Sequence, residues 1–148
     1  MPIKSAKEND LDYWLSYISS VHLNEIELSL ERIQAVYSRM NLKKLAKKIV
    51  VVAGTNGKGS CVAAMESILL ESGCAVGSYT SPHIKNFSER IKLCGIEIEE
   101  GELCHSFKMV DLARSEIPLT YFEFTTLAAF YIFSRRELDI VVLEVGLG

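Results

Sequence analysis

The chain has 148 residues, 49% hydrophobic and 24% charged, which suits an ordinary globular domain with one core. Its net charge of -3 excludes a general attraction to nucleic acid or anionic membrane, so any anion site must be local. No apolar run approaches the length of a bilayer span, and the N-terminus is not an apolar signal core.

In chain order, Leu11, Trp14, Leu15 and Ile18 recur at helical spacing and predict an amphipathic helix over residues 10–21. A polar stretch, 22–29, separates it from a second helix expected over 30–40, which Ser29 is placed to cap. Lys43, Lys44, Lys47 and Lys48 lead into Ile49-Val50-Val51-Val52-Ala53. That short β-branched run predicts a strand buried on both faces. The lysines have no aromatic residues between them and read as solvated surface, not as a nucleic-acid patch.

A glycine-rich turn follows, then a helix over 61–72 with Val62, Met65, Ile68 and Leu69 on one face and Gly73 as its stop. A second strand is expected over 75–79. Thr80-Ser81-Pro82-His83 reads as a loop, because proline disfavours helix in the residue before it. Residues 90–93 and 96–98 alternate around Gly95 and predict a hairpin. A helix over 100–114, a break at Pro118, a helix over 122–135 and a third buried strand over 139–145 complete the order. The fold class is α/β, a largely parallel sheet flanked by helices. The sequence stops at Gly146-Leu147-Gly148, directly after a strand, and is expected to be the opening part of a longer fold. Cys61, Cys74, Cys94 and Cys104 form no C-x-x-C pair and have no zinc-like spacing to His22, His83 and His105. Free thiols in a reducing cytoplasm are expected.

The turn Gly54-Thr55-Asn56-Gly57-Lys58-Gly59-Ser60 lies between a strand and a helix. Glycines let the backbone approach an anion closely, and a helix starting there points free N–H groups and its positive dipole end at it. Lys58 adds a cation for terminal phosphates, and Ser60 a hydroxyl. The general P-loop is G-x-x-x-x-G-K-[ST]. Here Val52 stands five residues before Gly57, and Gly59 takes the place of the hydroxyl residue. The spacing is G-x-x-G-K-G-S.

That spacing after an apolar strand resembles the ATP turn of the Mur ligase superfamily, and within it the folylpolyglutamate synthase/dihydrofolate synthase branch. Thr80-Ser81-Pro82-His83 with Glu89-Arg90-Ile91 is similar to the branch's second loop. Leu119-Thr120-Tyr121-Phe122-Glu123 resembles the pterin-side segment of the bacterial bifunctional enzymes, and Glu144-Val145-Gly146-Leu147-Gly148 the start of a metal-binding strand end. Trp14-Leu15-Ser16-Tyr17 and Leu30-Glu31-Arg32-Ile33 fit the N-terminal helices. The resemblance covers nearly the whole chain, in order.

The resemblance implies an ATP-dependent ligase that joins L-glutamate to dihydropteroate or a folate through an acyl phosphate. It implies ATP contacts at Thr55, Asn56, Gly57, Lys58, Gly59 and Ser60, with Lys58 catalytic, and Mg2+ ligands at Ser81 and Glu144. Oxygen donors suit that hard ion. It places dihydropteroate against Ser20, Val21, His22 and Leu23 on one wall and Thr120, Tyr121, Phe122 and Glu123 on the other. Taken alone, Thr120 to Glu123 is a helix-capping box, His22 an ordinary helix-end histidine and Glu144 a strand-end charge. His83 and Arg90 receive no catalytic role. The partners implied are small molecules, without nucleic acid or membrane, and the full-length form is expected to be a monomer. The chain would be the N-terminal portion of a Mur-type ATPase domain. The rest of that domain and a C-terminal glutamate-binding domain would lie outside it, leaving this chain inactive by itself.

Overall fold

The computed structural model describes residues 7–21 and 29–146. Its elements run α1 (Leu11–Val21), α2 (Glu31–Met40), β1 (Lys48–Val52), α3 (Lys58–Glu71), β2 (Val76–Tyr79), a 3-10 turn (Phe87–Arg90), β3 (Ile91–Leu93), β4 (Ile96–Glu97), α4 (Glu100–Arg114), α5 (Tyr121–Ser134) and β5 (Ile140–Glu144). They divide into two compact units. The first holds the chain up to Lys43 together with Glu100–Ile132; the second holds Lys44–Glu99 and the residues from Phe133 onward.

The first unit is helical. The Asp10 carboxylate accepts the N–H groups of Asp12 and Tyr13 and so starts α1. Leu11, Trp14 and Ile18 are its buried stripe. Aromatic rings join the helices: Trp14 of α1 meets Phe107 of α4 at 6.2 Å between centroids, and Phe107 meets Phe124 of α5 at 6.1 Å. Tyr37 of α2 meets Phe130 of α5 edge-on. Polar bonds fix the register. The Arg114 guanidinium donates to the Tyr17 hydroxyl at 2.6 Å and to Asp111, and the Tyr17 hydroxyl donates to Asp111 at 2.9 Å. Burial, reinforced by Asp111, pushes the Tyr17 phenol above its ordinary value.

The second unit is a five-stranded sheet in the order β1-β5-β2-β3-β4. The strands β1, β5 and β2 are parallel; β3 and β4 continue the sheet as an antiparallel hairpin. The sheet is therefore mixed, with the parallel half reached through crossovers and the hairpin turned around Cys94 and Gly95, both at positive φ. One face packs on α3, where Val62, Val76 and Val142 are buried with Val50, Val52, Met65 and Leu69 around them. The other face is tight at Gly77: a Cβ there would stand 2.8 Å from the Phe133 ring and 2.9 Å from Leu138. The bond Ser78 hydroxyl to Glu66 carboxylate, between β2 and α3, is buried.

Three expectations are corrected. The run 49–53 is a strand, but not one buried on both faces: β1 stands at the sheet edge, with Ile49 50% and Val51 57% exposed. An edge strand has a neighbour on one side only, and α3 covers only the alternate residues Val50 and Val52. On α3, Ile68 is 66% exposed; the buried stripe runs through Val62, Met65, Glu66 and Leu69 instead. That helix also starts three residues earlier than expected, at Lys58, because the glycine turn itself forms its cap.

Candidate functional site

In the second unit the parallel strands β1, β5 and β2 bring their C-terminal ends to one edge of the sheet, where loops of α/β folds bind ligands. The glycine turn leaves β1 there. Gly54 has φ +150° and Gly57, the cap of α3, has φ +73°, both in the region that glycine alone adopts freely. A Cβ at Gly54, Gly57 or Gly59 would meet no heavy atom within 4 Å. Packing inside the protein therefore explains none of the three glycines. Conformation explains the first two, and Gly59 leaves the approach to the first turn of α3 open. The first intrahelical bond runs from the Cys61 N–H to the Gly57 carbonyl, so the N–H groups ahead of it face out of the helix.

Lys58 crosses to the segment after β5, where its ammonium donates to the Gly146 carbonyl at 3.4 Å. Glu144, at the end of β5, is 6% exposed, and its Oε2 accepts the Ser81 N–H at 3.1 Å. Thus Ser81 and Glu144, 63 residues apart, are adjacent. Thr55, Asn56, Gly57, Gly59 and Ser60 lie in the turn and the first turn of α3 at the same end of the sheet. Among the described residues no group of three or more His, Cys, Asp and Glu converges on a metal position. The Glu144 carboxylate beside Ser81, at the sheet end that carries the glycine turn, still fits Mg2+, which takes oxygen donors and keeps several waters.

The loop after β2 is braced. The Thr80 N–H donates to the Arg90 carbonyl at 2.8 Å and closes its base. The Glu89 carboxylate accepts the N–H groups of Ile84, Lys85 and Asn86, and the bonds from Asn86 and Ile84 hold its carboxyl below the usual range. Arg90 Nε donates to His83 Nδ1 at 2.9 Å, so a neutral His83 carries its proton on Nε2. Arg90 also lies 5.1 Å over the Phe87 ring. The pairing of His83 with Arg90 is a feature that sequence reading left without a role.

In the first unit, Thr120 and Glu123 form the expected capping box of α5. The Glu123 N–H donates to Thr120 Oγ1 at 3.1 Å, and the Thr120 N–H to Glu123 Oε2 at 2.8 Å. Glu123 also takes Arg32 Nη2 at 3.3 Å, a partner 91 residues away with no sequence signal. Tyr121 is half-buried and Phe122 is 43% exposed. Ser20 is exposed and its hydroxyl donates to the Tyr17 carbonyl; Val21 ends α1, half-buried. His22 and Leu23 lie outside the described residues.

No protein-family model matches the chain. The dihydrofolate synthase/folylpolyglutamate synthase of Escherichia coli is 45% identical over 135 residues, 91% of this chain and 32% of that protein. Among solved structures, E. coli FolC in complex with DHPP and ADP matches with a TM-score of 0.90 and 45% identity, covering 93% of this chain and 33% of FolC. The bifunctional enzyme of Yersinia pestis complexed with AMPPNP and Mn matches with a TM-score of 0.89 and 48% identity, covering 93% and 34%. The chain thus spans about a third of the length of the curated relatives it matches. Among the described residues no helix is long and apolar enough to cross a membrane. In sequence and in fold, this chain is homologous to the N-terminal third of bacterial dihydrofolate synthase/folylpolyglutamate synthases.

Proposed function

We propose that this chain is the N-terminal portion of the ATP-binding domain of a ligase that joins L-glutamate to dihydropteroate or a folate. The observation that carries the reading is the assembly at the sheet end: an open glycine turn, Lys58 reaching to Gly146, and Ser81 beside a buried Glu144. The relatives' complexes with ADP and with AMPPNP and Mn support it.

In this reading Thr55, Asn56, Gly57, Gly59 and Ser60 cradle the phosphates with main-chain N–H groups. Lys58 leaves the Gly146 carbonyl and follows the transferred phosphoryl group, where charge grows. Ser81 and Glu144 would hold Mg2+, which would supply charge neutralisation at the phosphates. A substrate carboxylate attacks the γ-phosphorus of ATP and ADP leaves, giving an acyl phosphate; the amine of glutamate then attacks the acyl carbon, gives up a proton and expels phosphate to form the amide. The Thr120 to Glu123 segment, with Ser20, Val21, His22 and Leu23, receives the pterin, Tyr121 and Phe122 packing on the ring and Glu123 accepting its N–H donors. The setting is cytoplasmic, and the full-length form a monomer. Since the chain spans a third of its relatives, binding without turnover is expected of it.

Titration calorimetry of the chain with Mg-AMPPNP, then with dihydropteroate, tests this. Binding of both supports the reading. Nucleotide binding that dihydropteroate leaves unaltered would indicate a nucleotide module without this ligase role. Tighter competition by a uridine-nucleotide peptide precursor would point to a murein-precursor ligase. Rapid formation of dihydrofolate and ADP on addition of glutamate would overturn the expected inactivity.

A further inference from the structure

The loop after β2 leaves the sheet beyond Tyr79 and rejoins it at Ile91, with Ser81 near its start. Its two ends are anchored. The Thr80 N–H donates to the Arg90 carbonyl at 2.8 Å, Phe87 is buried, and Arg90 Nε donates to His83 Nδ1 at 2.9 Å. Burial does not hold its middle: Lys85 and Asn86 are exposed, and Ile84 is 91% exposed. The Glu89 carboxylate gathers that middle instead. Its Oε1 accepts the Lys85 and Asn86 N–H groups at 3.0 and 2.9 Å, and its Oε2 accepts the Ile84 N–H at 3.0 Å.

Helix capping accounts for one of these three bonds. Asn86 and Glu89 form the capping box of the 3-10 turn, and that motif needs only the Asn86 N–H. The bonds from Ile84 and Lys85 lie ahead of the cap and wrap the chain around one carboxylate. Global stability gains little from them, because an exposed loop can open locally while the sheet stays folded. Local order gains most. The loop so ordered is the one that carries Ser81, whose N–H reaches the buried Glu144 Oε2 at 3.1 Å.

We propose that Glu89 is a positioning residue: it holds this loop in one shape, so that Ser81 stands against Glu144 before Mg2+ and nucleotide arrive. The inference rests on the reading of Ser81 and Glu144 as Mg2+ ligands. Glu89 touches neither metal nor nucleotide and acts through the main chain of residues 84–86. A loop already ordered spares metal binding the conformational entropy of collecting it. Removing the carboxylate therefore weakens the metal-dependent part of nucleotide binding. The hold of the glycine turn on the phosphates, at the end of β1, is left intact.

The test uses the 148-residue chain. Its affinity for AMPPNP is measured with Mg2+ and with EDTA, alongside melting temperature and amide exchange. The unaltered chain is expected to bind more tightly with Mg2+. In E89A that advantage falls about tenfold, while the metal-free affinity stays within about twofold and the melting temperature moves little. Residues 81–86 lose exchange protection while β2 and β5 keep theirs. E89Q keeps one acceptor oxygen and recovers part of the advantage. Unchanged protection at Ser81 in E89A overturns the proposal. So does an equal loss of affinity with and without Mg2+, which is what a merely structural glutamate would give. S81A separates the proposal from the metal reading. If S81A loses the Mg2+ advantage and E89A keeps it, the metal reading stands and the proposal falls. If the unaltered chain gains nothing from Mg2+, or S81A keeps the full gain, the metal reading has failed and the role of Glu89 with it. Should E89A not fold, E89Q carries the test, and an unchanged Mg2+ advantage there refutes the proposal.

Discussion

The two units build their polar centres from different materials. In the second, the centre is mostly main chain: glycine N–H groups, the Gly146 carbonyl, the Ser81 N–H, and three N–H groups around Glu89. In the first it is side chain on side chain, Arg32 to Glu123 and Tyr17 to Asp111 and Arg114, each spanning more than ninety positions. A main-chain centre needs particular residues at consecutive positions. A side-chain centre needs them only on facing surfaces of helices. The first kind writes a local pattern into the sequence and the second does not.

The sharpest way to separate the units is to damage one core. Phe107 is fully buried and touches Trp14 and Phe124. Phe107→Ala is expected to cost about 3–5 kcal/mol, seen as lost amide-exchange protection in α1, α4 and α5. Equal loss across the sheet would show that the two units unfold as one. Lys58→Ala should lower the affinity for Mg-AMPPNP about 10- to 100-fold, the weight of one charged hydrogen bond, with little change in melting temperature. An unchanged affinity removes the phosphate role. Gly77→Ala forces a methyl against Phe133 and Leu138 and is expected to cost about 1–3 kcal/mol, read from the urea midpoint and concentrated in the sheet.

The smallest effect concerns pH, and it has opposite signs in the two units. In the second, Asp139 is held below its usual range first by the Lys47 ammonium and then by the Ala75 N–H, and Glu89 by the Asn86 and Ile84 N–H groups. Depressed values mean support that is present above about pH 4 and lost as pH falls through the folded values. In the first unit, burial pushes up Tyr17 and Cys104. Raised values mean support present below about pH 8.5 for the thiol and about 10 for the phenol, and lost as pH rises through the folded values. Trp14, the only tryptophan, reports on the first unit. Acid should loosen amide protection in β2 and β5 before Trp14 emission shifts, and alkali should reverse the order. The same order at both extremes would contradict this account.

The same division governs what could be read from the sequence. Strand, turn, helix and strand order were legible because apolar periodicity and glycine spacing are local. Ser81 and Glu144 share no local pattern; the resemblance to a ligase branch names each as a metal ligand, and the structure shows the Ser81 N–H donating to the Glu144 carboxylate. The exposure of Ile49, Val51 and Ile68 was not legible, because a β-branched run looks alike in a central strand and at an edge. Arg32 was hidden for the opposite reason: an arginine among polar helix residues has many uses, and its partner lies 91 positions on.

The edge position of β1 also bears on how the chain behaves in crowded solution. Among the described residues β1 pairs with β5 alone, and an apolar strand with one open side is a template on which like strands can stack. Four exposed lysines, Lys43, Lys44, Lys47 and Lys48, stand at its entrance and put like charges wherever two such edges would align. Charges of one sign beside an apolar strand oppose edge-to-edge pairing. The strength of that repulsion depends on the Debye length, so added salt is the condition under which concentrated stocks would first turn cloudy.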